Sequence, residues 1–211
     1  MPSSVQRPQP RDPPPAVERY RRFERAAAWG LTLSAALVAV LVYLSLPLVP
    51  GVAAAVLVLL ALRVPVLRPS GSARLLSQAD PEAVRAEFAG PTPPVLAFQW
   101  GVADSVRPTP DGAVYEVSSL FGLLTSTVRV ESHTAEDGTV ELEVIIGDRR
   151  TTTYAVDADA HRGGTAVDVR FETHRRFGLR RLPGLVVAGR FRSAVYDALG
   201  YTLLEDDRSL L

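Results

Sequence analysis

This 211-residue chain contains no cysteine, no lysine, one methionine and three histidines. Without cysteine it can form neither a disulfide nor a cysteine-ligated metal site, and it has no thiol nucleophile. Without lysine it cannot form a Schiff base, and all 23 basic residues are arginine. The histidines, His133, His161 and His174, lie near strand ends or turns without metal-binding spacing. The sequence therefore predicts no metal site and no cofactor.

Charge is balanced overall but divided unequally along the chain. Residues 1–68 contain eight arginines and three acidic residues, whereas residues 69–211 contain 15 arginines and 20 acidic residues. The second part therefore has a net charge of −5. Because nucleic-acid binding needs a net basic surface, this acidic part argues against a nucleic-acid partner.

Charge is almost absent from two long stretches between residues 26 and 67. Residues 26–46 contain no charged side chain, and 21 residues at about 1.5 Å each span the roughly 30 Å hydrocarbon core of a bilayer. A second uncharged run covers residues 48–62 and reaches residue 67 only across Arg63 and Pro65. The pattern predicts a transmembrane helical hairpin over residues 19–68, with spans at 26–46 and about 48–67. An interfacial or re-entrant segment is the alternative for the second run.

Arginines flank this hairpin at both outer ends and are absent from its turn. Four precede the first run and three follow the second: Arg19, Arg21, Arg22, Arg25, Arg63, Arg68 and Arg74. The positive-inside rule then places both termini and the main domain in the cytoplasm. The predicted localisation is the cell membrane, with two spans.

The rest of the chain divides into three parts. Residues 1–18 are proline-rich and polar, which predicts a disordered tail, and residues 69–72 predict a short linker. Residues 73–211 are numerous enough for one domain with one core. Alternating apolar and polar residues predict strands in this domain at 74–79, 95–103, 113–118, 124–131, 139–146, 150–157 and 165–173. Turn signals separate them at 108–112, 121–122, 136–138, 147–148 and 162–164.

Two helices are predicted beside this largely antiparallel sheet, so the fold class is α+β. Asp80 is a good N-cap for the first helix, which Gly90 ends. The second covers residues 183–199 and ends at Gly200. A stripe at three- and four-residue spacing can dock it on the sheet: Val187, Phe191, Val195 and Ala198.

The predicted order is a strand, a short helix, six strands and a long carboxy-terminal helix. With this order the chain resembles the START-like helix-grip superfamily, which includes polyketide cyclases and lipid-transfer domains. The resemblance rests on residues 79–84 (ADPEAV), 163–169 (GGTAVDV) and 177–200. It implies a curved sheet that grips the long helix around an apolar cavity. The implied ligand is a lipid or another hydrophobic small molecule.

The residues expected to line this cavity are those that the alternation turns inward. They are Val128, Val130, Leu142, Val144, Tyr154, Val156, Val167, Val169, Phe171, Phe191 and Val195. We identify no catalytic residue, so a non-catalytic binding protein is the main prediction. A cyclase- or hydrolase-like enzyme would need polar groups inside, for which Thr152, Tyr154 and Thr165 are the inward candidates. If the same residues simply form a filled core, a structural or partner-binding membrane protein is the third reading.

A basic cluster lies just before the long helix. Arginines surround two apolar residues there, in the segment Arg175, Arg176, Phe177, Leu179, Arg180 and Arg181. Such a loop can touch anionic lipid headgroups, at about 1 kcal/mol per arginine. The segment is therefore predicted to contact the bilayer, and the alternative is a solvated loop balanced by the acidic residues of the domain.

Overall fold

The computed structural model describes residues 11–61, 63–119 and 124–210. Two helices come first, α1 (Pro15–Ser45) and α2 (Leu48–Ala61). The elements that follow, in chain order, are β1 (Pro65–Leu67), β2 (Ser70–Ser77), α3 (Pro81–Phe88), a 3₁₀ turn (Pro94–Leu96), α4 (Ala97–Trp100), β3 (Ser105–Thr109), β4 (Gly112–Ser119), β5 (Leu124–Thr134), β6 (Val140–Ile146), β7 (Arg149–His161), β8 (Gly164–Thr173), β9 (Phe177–Gly178), a second 3₁₀ turn (Leu179–Arg181), α5 (Leu182–Ala198) and β10 (Tyr201–Ser209).

The two amino-terminal helices differ in length. Among the described residues, α1 is the one helix that is long and apolar enough to cross a membrane. Helix α2 has 14 residues, and residues 65–67 form a strand, so a continuous second span over about 48–67 is wrong. Pro65 is one physical reason, because proline has no amide hydrogen and its ring clashes with the preceding helical turn.

Helix α1 also begins earlier than the predicted span. It starts at Pro15, and Val17 in its first turn is fully buried. Residues 15–18 are therefore helical and partly internal rather than part of a disordered tail. Residues 1–10 of that predicted tail lie outside the described residues.

The main sheet is antiparallel and has eight strands in the order β10-β2-β8-β7-β6-β5-β4-β3, while β1 and β9 pair separately. The predicted strands at 113–118, 124–131, 139–146, 150–157 and 165–173 are confirmed as β4 to β8. The strand predicted at 74–79 is β2, which starts at Ser70 and ends at Ser77. Residues 70–72 are thus in the sheet rather than in a linker. The turn predicted at 121–122 lies outside the described residues.

One predicted strand is wrong, because residues 95–103 contain the first 3₁₀ turn and α4 instead. Leu96 and Trp100 are buried there, and the Trp100 indole donates a hydrogen bond to the Pro93 carbonyl oxygen at 2.9 Å. A short apolar run is compatible with a buried strand or a buried helix, and periodicity alone does not separate them.

Two strands of the main sheet escaped prediction. β3 contains Pro108, which reads as a turn signal, but β3 is an edge strand, where a proline without an amide hydrogen is tolerated. β10 contains the run Glu205, Asp206, Asp207 and Arg208, whose charges obscure the alternation. It pairs with β2 and forms the opposite edge of the sheet.

The two predicted helices of the domain are confirmed. The Asp80 carboxylate accepts a hydrogen bond from the Ala83 amide at 2.9 Å and so caps α3. Helix α5 ends before Gly200, which has φ +86°. The turn at 162–164 also needs its glycine, because a Cβ on Gly164 (φ +132°) would lie 2.1 Å from the Ser77 carbonyl oxygen. The six strands between the two helices are present only with β3 in place of the predicted strand at 95–103, and β10 follows the long helix.

Two clusters of buried side chains fill the space between the sheet and the helices. The first joins α3 and β10 to the sheet through Phe88 and Tyr201, whose rings meet edge to face at 5.6 Å. The second contains Val17 of α1, together with Trp100, Tyr115 and Val195. The amino-terminal part of α1 is therefore part of the core of the domain.

Candidate functional site

The predicted cavity-lining residues differ in how accessible they are. Seven have at most 4% of their surface exposed and form a closed core: Val130, Leu142, Val144, Val156, Val167, Val169 and Val195. Val128 and Phe171 are each 9% exposed, and Tyr154 and Thr152 are half-buried. These more accessible residues lie toward the end of the sheet where β6 turns into β7. We call this region the open inner end.

Phe191, a predicted cavity-lining residue, has an aromatic neighbour on α1. It was expected to line a cavity because it shares a helical stripe with Val195. Its ring instead packs against Phe23 of α1, with centroids 5.5 Å apart, and Tyr20 of α1 packs edge to face on Phe98 at 4.6 Å. Helix α1 therefore covers one side of the long helix, which the sequence did not reveal.

A buried ionic group, which the sequence analysis missed, lies on the inner side of α5 and β10. The side chain of Arg192 is 9% exposed, and its guanidinium donates to the carboxylate of Asp206. Arg208 donates from Nε to the same carboxylate at 2.7 Å, and its guanidinium lies 4.6 Å from the centre of the Phe171 ring. Gly71 lies between Phe171 and Arg208 across the three paired strands, and its lack of a side chain leaves room for Arg208.

This group has distinctive electrostatics. Burial acts to raise the pKa of Asp206, but the hydrogen bonds and charges of Arg208 and Arg192 outweigh it and hold the pKa below its ordinary value. Burial also raises the pKa of Tyr196 to about 12 and raises the pKa of Tyr154. In the sequence, this ionic group is indicated only by the acidic run at residues 205–207, which follows a predicted helix that contains arginine.

The other polar candidates have structural partners. Thr165 is fully buried, and its hydroxyl donates to the Ala79 carbonyl oxygen at 2.6 Å. His174 lies on the outer face, with Nε2 2.8 Å from the Thr153 hydroxyl. In the described ranges, no group of three or more histidine, aspartate and glutamate side chains could hold a metal ion.

The predicted bilayer-contact segment forms part of an open depression of about 670 Å³. Its lining residues are Arg63, Pro65, Ile146, Thr151, Arg175, Arg176, Phe177, Gly178 and Arg181, and we call it the arginine pocket. Arg63 was not part of the predicted cluster. It is brought there by β1 and β9, which pair Pro65 with Gly178 and Leu67 with Phe177. Leu179 is half-buried in the adjacent 3₁₀ turn, and the side chain of Arg180 lies outside the described part of the chain.

The charges of the arginine pocket are not compensated by the described part of the chain. No acidic residue lines it, and none of its four arginines forms an ion pair with a described residue. Arg181 lies 5.3 Å from the centre of the Phe177 ring. By contrast, a wider depression of about 1030 Å³ on the outer face contains Arg68 and Arg170, which pair with Glu172 and Asp157. The arginine pocket is therefore a concave and electropositive site.

A band of exposed apolar side chains extends along α1 from Trp29 onward and along α2. Between 44% and 78% of the surface is exposed in Trp29, Leu33, Leu37, Val38, Val40, Leu41, Leu44, Leu46, Leu48, Val49, Val52, Val56, Leu57 and Leu60. The two helices contact one another, and a Cβ on Gly51 would lie 2.9 Å from the Tyr43 carbonyl oxygen. A continuous apolar surface of this kind is typical of an interaction with lipid or with a partner.

Comparison with known proteins gives distant likenesses. No family model matches the sequence, and no curated protein matches it significantly. Ara h 8.0201 is 13% identical with a TM-score of 0.42, and the match covers 62% of this chain and 94% of that one. A Deinococcus radiodurans protein is 19% identical with a TM-score of 0.36, and the match covers 61% of this chain and 96% of that one. A Chromobacterium violaceum protein is 12% identical with a TM-score of 0.39, and the match covers 59% of this chain and 96% of that one. These sequence identities and TM-scores are too low to carry an argument about the function of this chain.

Proposed function

We propose that this chain is a membrane-anchored, non-catalytic binding protein for a lipid or another hydrophobic small molecule. The observation that carries the proposal is the exposed apolar band on α1 and α2. A soluble monomer rarely exposes so large an apolar surface, and a bilayer covers it without any further partner. The uncharged part of α1 from residue 26 to Ser45 has 20 residues, which matches the thickness of about 30 Å.

The way the chain leaves and re-enters the domain supports an anchor with both ends on one side. Val17 of α1 is buried in the domain, and so is Leu67 of β1. The chain between them must therefore travel out along α1 and return along α2. Helix α2 accounts for about 21 Å of that return. The flanking arginines place the domain in the cytoplasm under the positive-inside rule.

The proposed ligand site is the open inner end of the sheet. Val128 and Phe171 supply apolar surface there, and the buried guanidinium of Arg192 with the Tyr154 hydroxyl supplies polar groups nearby. A hydrophobic ligand with one polar end would match this combination. The seven closed positions of the inner face favour a second candidate, a structural or partner-binding membrane protein with a filled core.

Membrane anchoring is tested by topology mapping, for which the cysteine-free chain is convenient. Single-cysteine variants Val49→Cys, in the first turn of α2, and Ser193→Cys, exposed on α5, are expressed in cells. We expect a membrane-impermeant maleimide to label Val49→Cys in intact cells and Ser193→Cys only after permeabilisation. Recovery of the native chain in the soluble fraction after carbonate extraction would disprove the anchor.

Ligand binding is tested by filling the open inner end. Thr152→Phe adds a bulky ring on the inner face, whereas Thr127→Phe makes the same change on the outer face of β5. We expect lipid that co-purifies with the native chain, measured by mass spectrometry, to fall at least tenfold in Thr152→Phe and to persist in the control. Equal lipid in all three chains, or none in the native chain, would favour the filled-core candidate.

A further inference from the structure

The arginine pocket joins two segments that are more than a hundred residues apart in the chain. Arg63 lies two residues after the last residue of α2, while Arg175, Arg176 and Arg181 come from the connection between β8 and α5. The pairing of β1 with β9 holds these segments together. The pocket therefore sits where the anchor meets the domain, at the level that the end of α2 would have at a bilayer surface.

Its chemistry is that of an anion site. Four guanidinium groups surround one concavity, without an acidic residue among its lining and without an ion pair to a described residue. Guanidinium groups bind phosphate through paired, charge-assisted hydrogen bonds, which makes arginine well suited to this ligand. Eight other arginines pair with a carboxylate among the described residues, whereas the four of the pocket share one concavity without such a partner.

The pocket also has an apolar part. Ile146, Pro65 and Phe177 line it beside the arginines, and the Phe177 ring lies under the Arg181 guanidinium. A freely soluble anion would need only the charged groups. A phosphate that carries an acyl-glycerol group would use both, because its first carbons can lie on the apolar side chains.

We propose that the arginine pocket binds the phosphate of an anionic lipid headgroup at the surface of the bilayer. The same phosphate chemistry could come from a free phosphate ester, and the experiment separates the two sources. This inference deepens the proposed function and rests on its membrane anchor, but it does not require a ligand at the open inner end.

The test uses the full chain in detergent micelles and native mass spectrometry. Phosphatidic acid or phosphatidylcholine is titrated, with glycerol 3-phosphate as a soluble competitor. The pocket variant is Arg175→Gln with Arg176→Gln, and the matched control is Arg162→Gln with Arg190→Gln. The control removes two exposed arginines, also without a described ion pair, from a distant turn and from the middle of α5.

We expect the native chain to prefer phosphatidic acid and the pocket variant to lose about thirtyfold in affinity, since each arginine near an anionic surface contributes about fivefold. The control should stay within about twofold. Displacement of the lipid by equimolar glycerol 3-phosphate would assign the site to soluble phosphate esters. No displacement, with binding intact, would assign it to the lipid headgroup.

Three results would overturn the inference: no preference for phosphatidic acid, native-like binding by the pocket variant, or an equal loss in the control. The melting temperature of each variant should match that of the native chain, because the substituted side chains are exposed. Carbonate extraction is measured in parallel. If the native chain is extracted, the proposed anchor fails, whereas if it is retained and the pocket variant binds normally, only the pocket fails.

Discussion

Among single residues, Asp206 is notable because its one carboxylate pairs with two arginines, Arg192 and Arg208, so that the three side chains together carry a net charge of +1. Replacing it by Asn would leave the buried guanidinium of Arg192 without a counter-charge. We expect Asp206→Asn to lower the free energy of unfolding by about 3 kcal/mol. Asp207→Asn is the control, since Asp207 is exposed and the structure shows no ion pair for it with a described residue. Urea unfolding followed by fluorescence measures both, and equal effects would contradict this role.

The same residue predicts a pH dependence. The pKa of Asp206 is lower in the folded chain than in the unfolded one, so its contribution to stability is fully present above the unfolded pKa of about 3.9. That contribution is lost as the pH falls through the lower folded pKa. The stability difference between the native chain and Asp206→Asn should therefore be constant from neutral pH to about pH 4 and shrink below it. A difference that grows on acidification would refute the assignment.

At the scale of elements, α1 behaves as part of the domain at one end and as an exposed apolar helix at the other. Val17 is fully buried against Leu96 and Trp100, whereas Val49 at the start of α2 is 78% exposed. We expect Val17→Ala to lower the free energy of unfolding by about 2 kcal/mol, through lost burial and a residual cavity. Val49→Ala should leave it unchanged. Thermal unfolding of both full chains in one detergent checks this, and matching melting temperatures would contradict the core position of Val17.

Strands were predicted correctly where the alternation of apolar and polar residues alone was enough to identify them. Alternation identified β4 to β8 because each of these strands has one buried and one exposed face. It failed for residues 95–103, where a mostly apolar run packs as helical turns, and for β10, where Asp206 pairs with Arg208 and with Arg192 of α5. The partner of Asp206 includes Arg192 from α5. The alternation of residues within β10 does not show a partner that comes from a distant helix.

For the whole molecule, the sequence suggested a tail, a hairpin, a linker and a domain as separate units. In the structure these units are not separate, because Val17 of α1 belongs to the second core cluster and β1 pairs with β9. Both parts of the candidate site depend on this long-range arrangement. Arg63 joins the arginine pocket through that pairing, and the ring of Phe191 packs against Phe23 of α1.

A pair of shortened chains tests this shared core. Removing residues 1–62 deletes α1 and exposes Leu96, Phe98 and Trp100, so we expect a marked loss of thermal stability and binding of a hydrophobic dye. Replacing only residues 30–61 by a flexible glycine-serine linker keeps Val17 and Tyr20 and should restore a cooperative transition. A fully stable domain after the first deletion would show that α1 is dispensable for folding.

The continuity of α1 has one further consequence. Because α1 is a continuous helix of 31 residues, the direction of the side chains at one end fixes their direction at the other end, and each residue adds a turn of about 100°. Adding one residue after Gly30 would leave both ends of α1 intact but turn the apolar half relative to the domain by more than a quarter of a revolution. The helical phase of α1 therefore sets the rotational position of the domain relative to the apolar half of α1 and to α2, which contacts it.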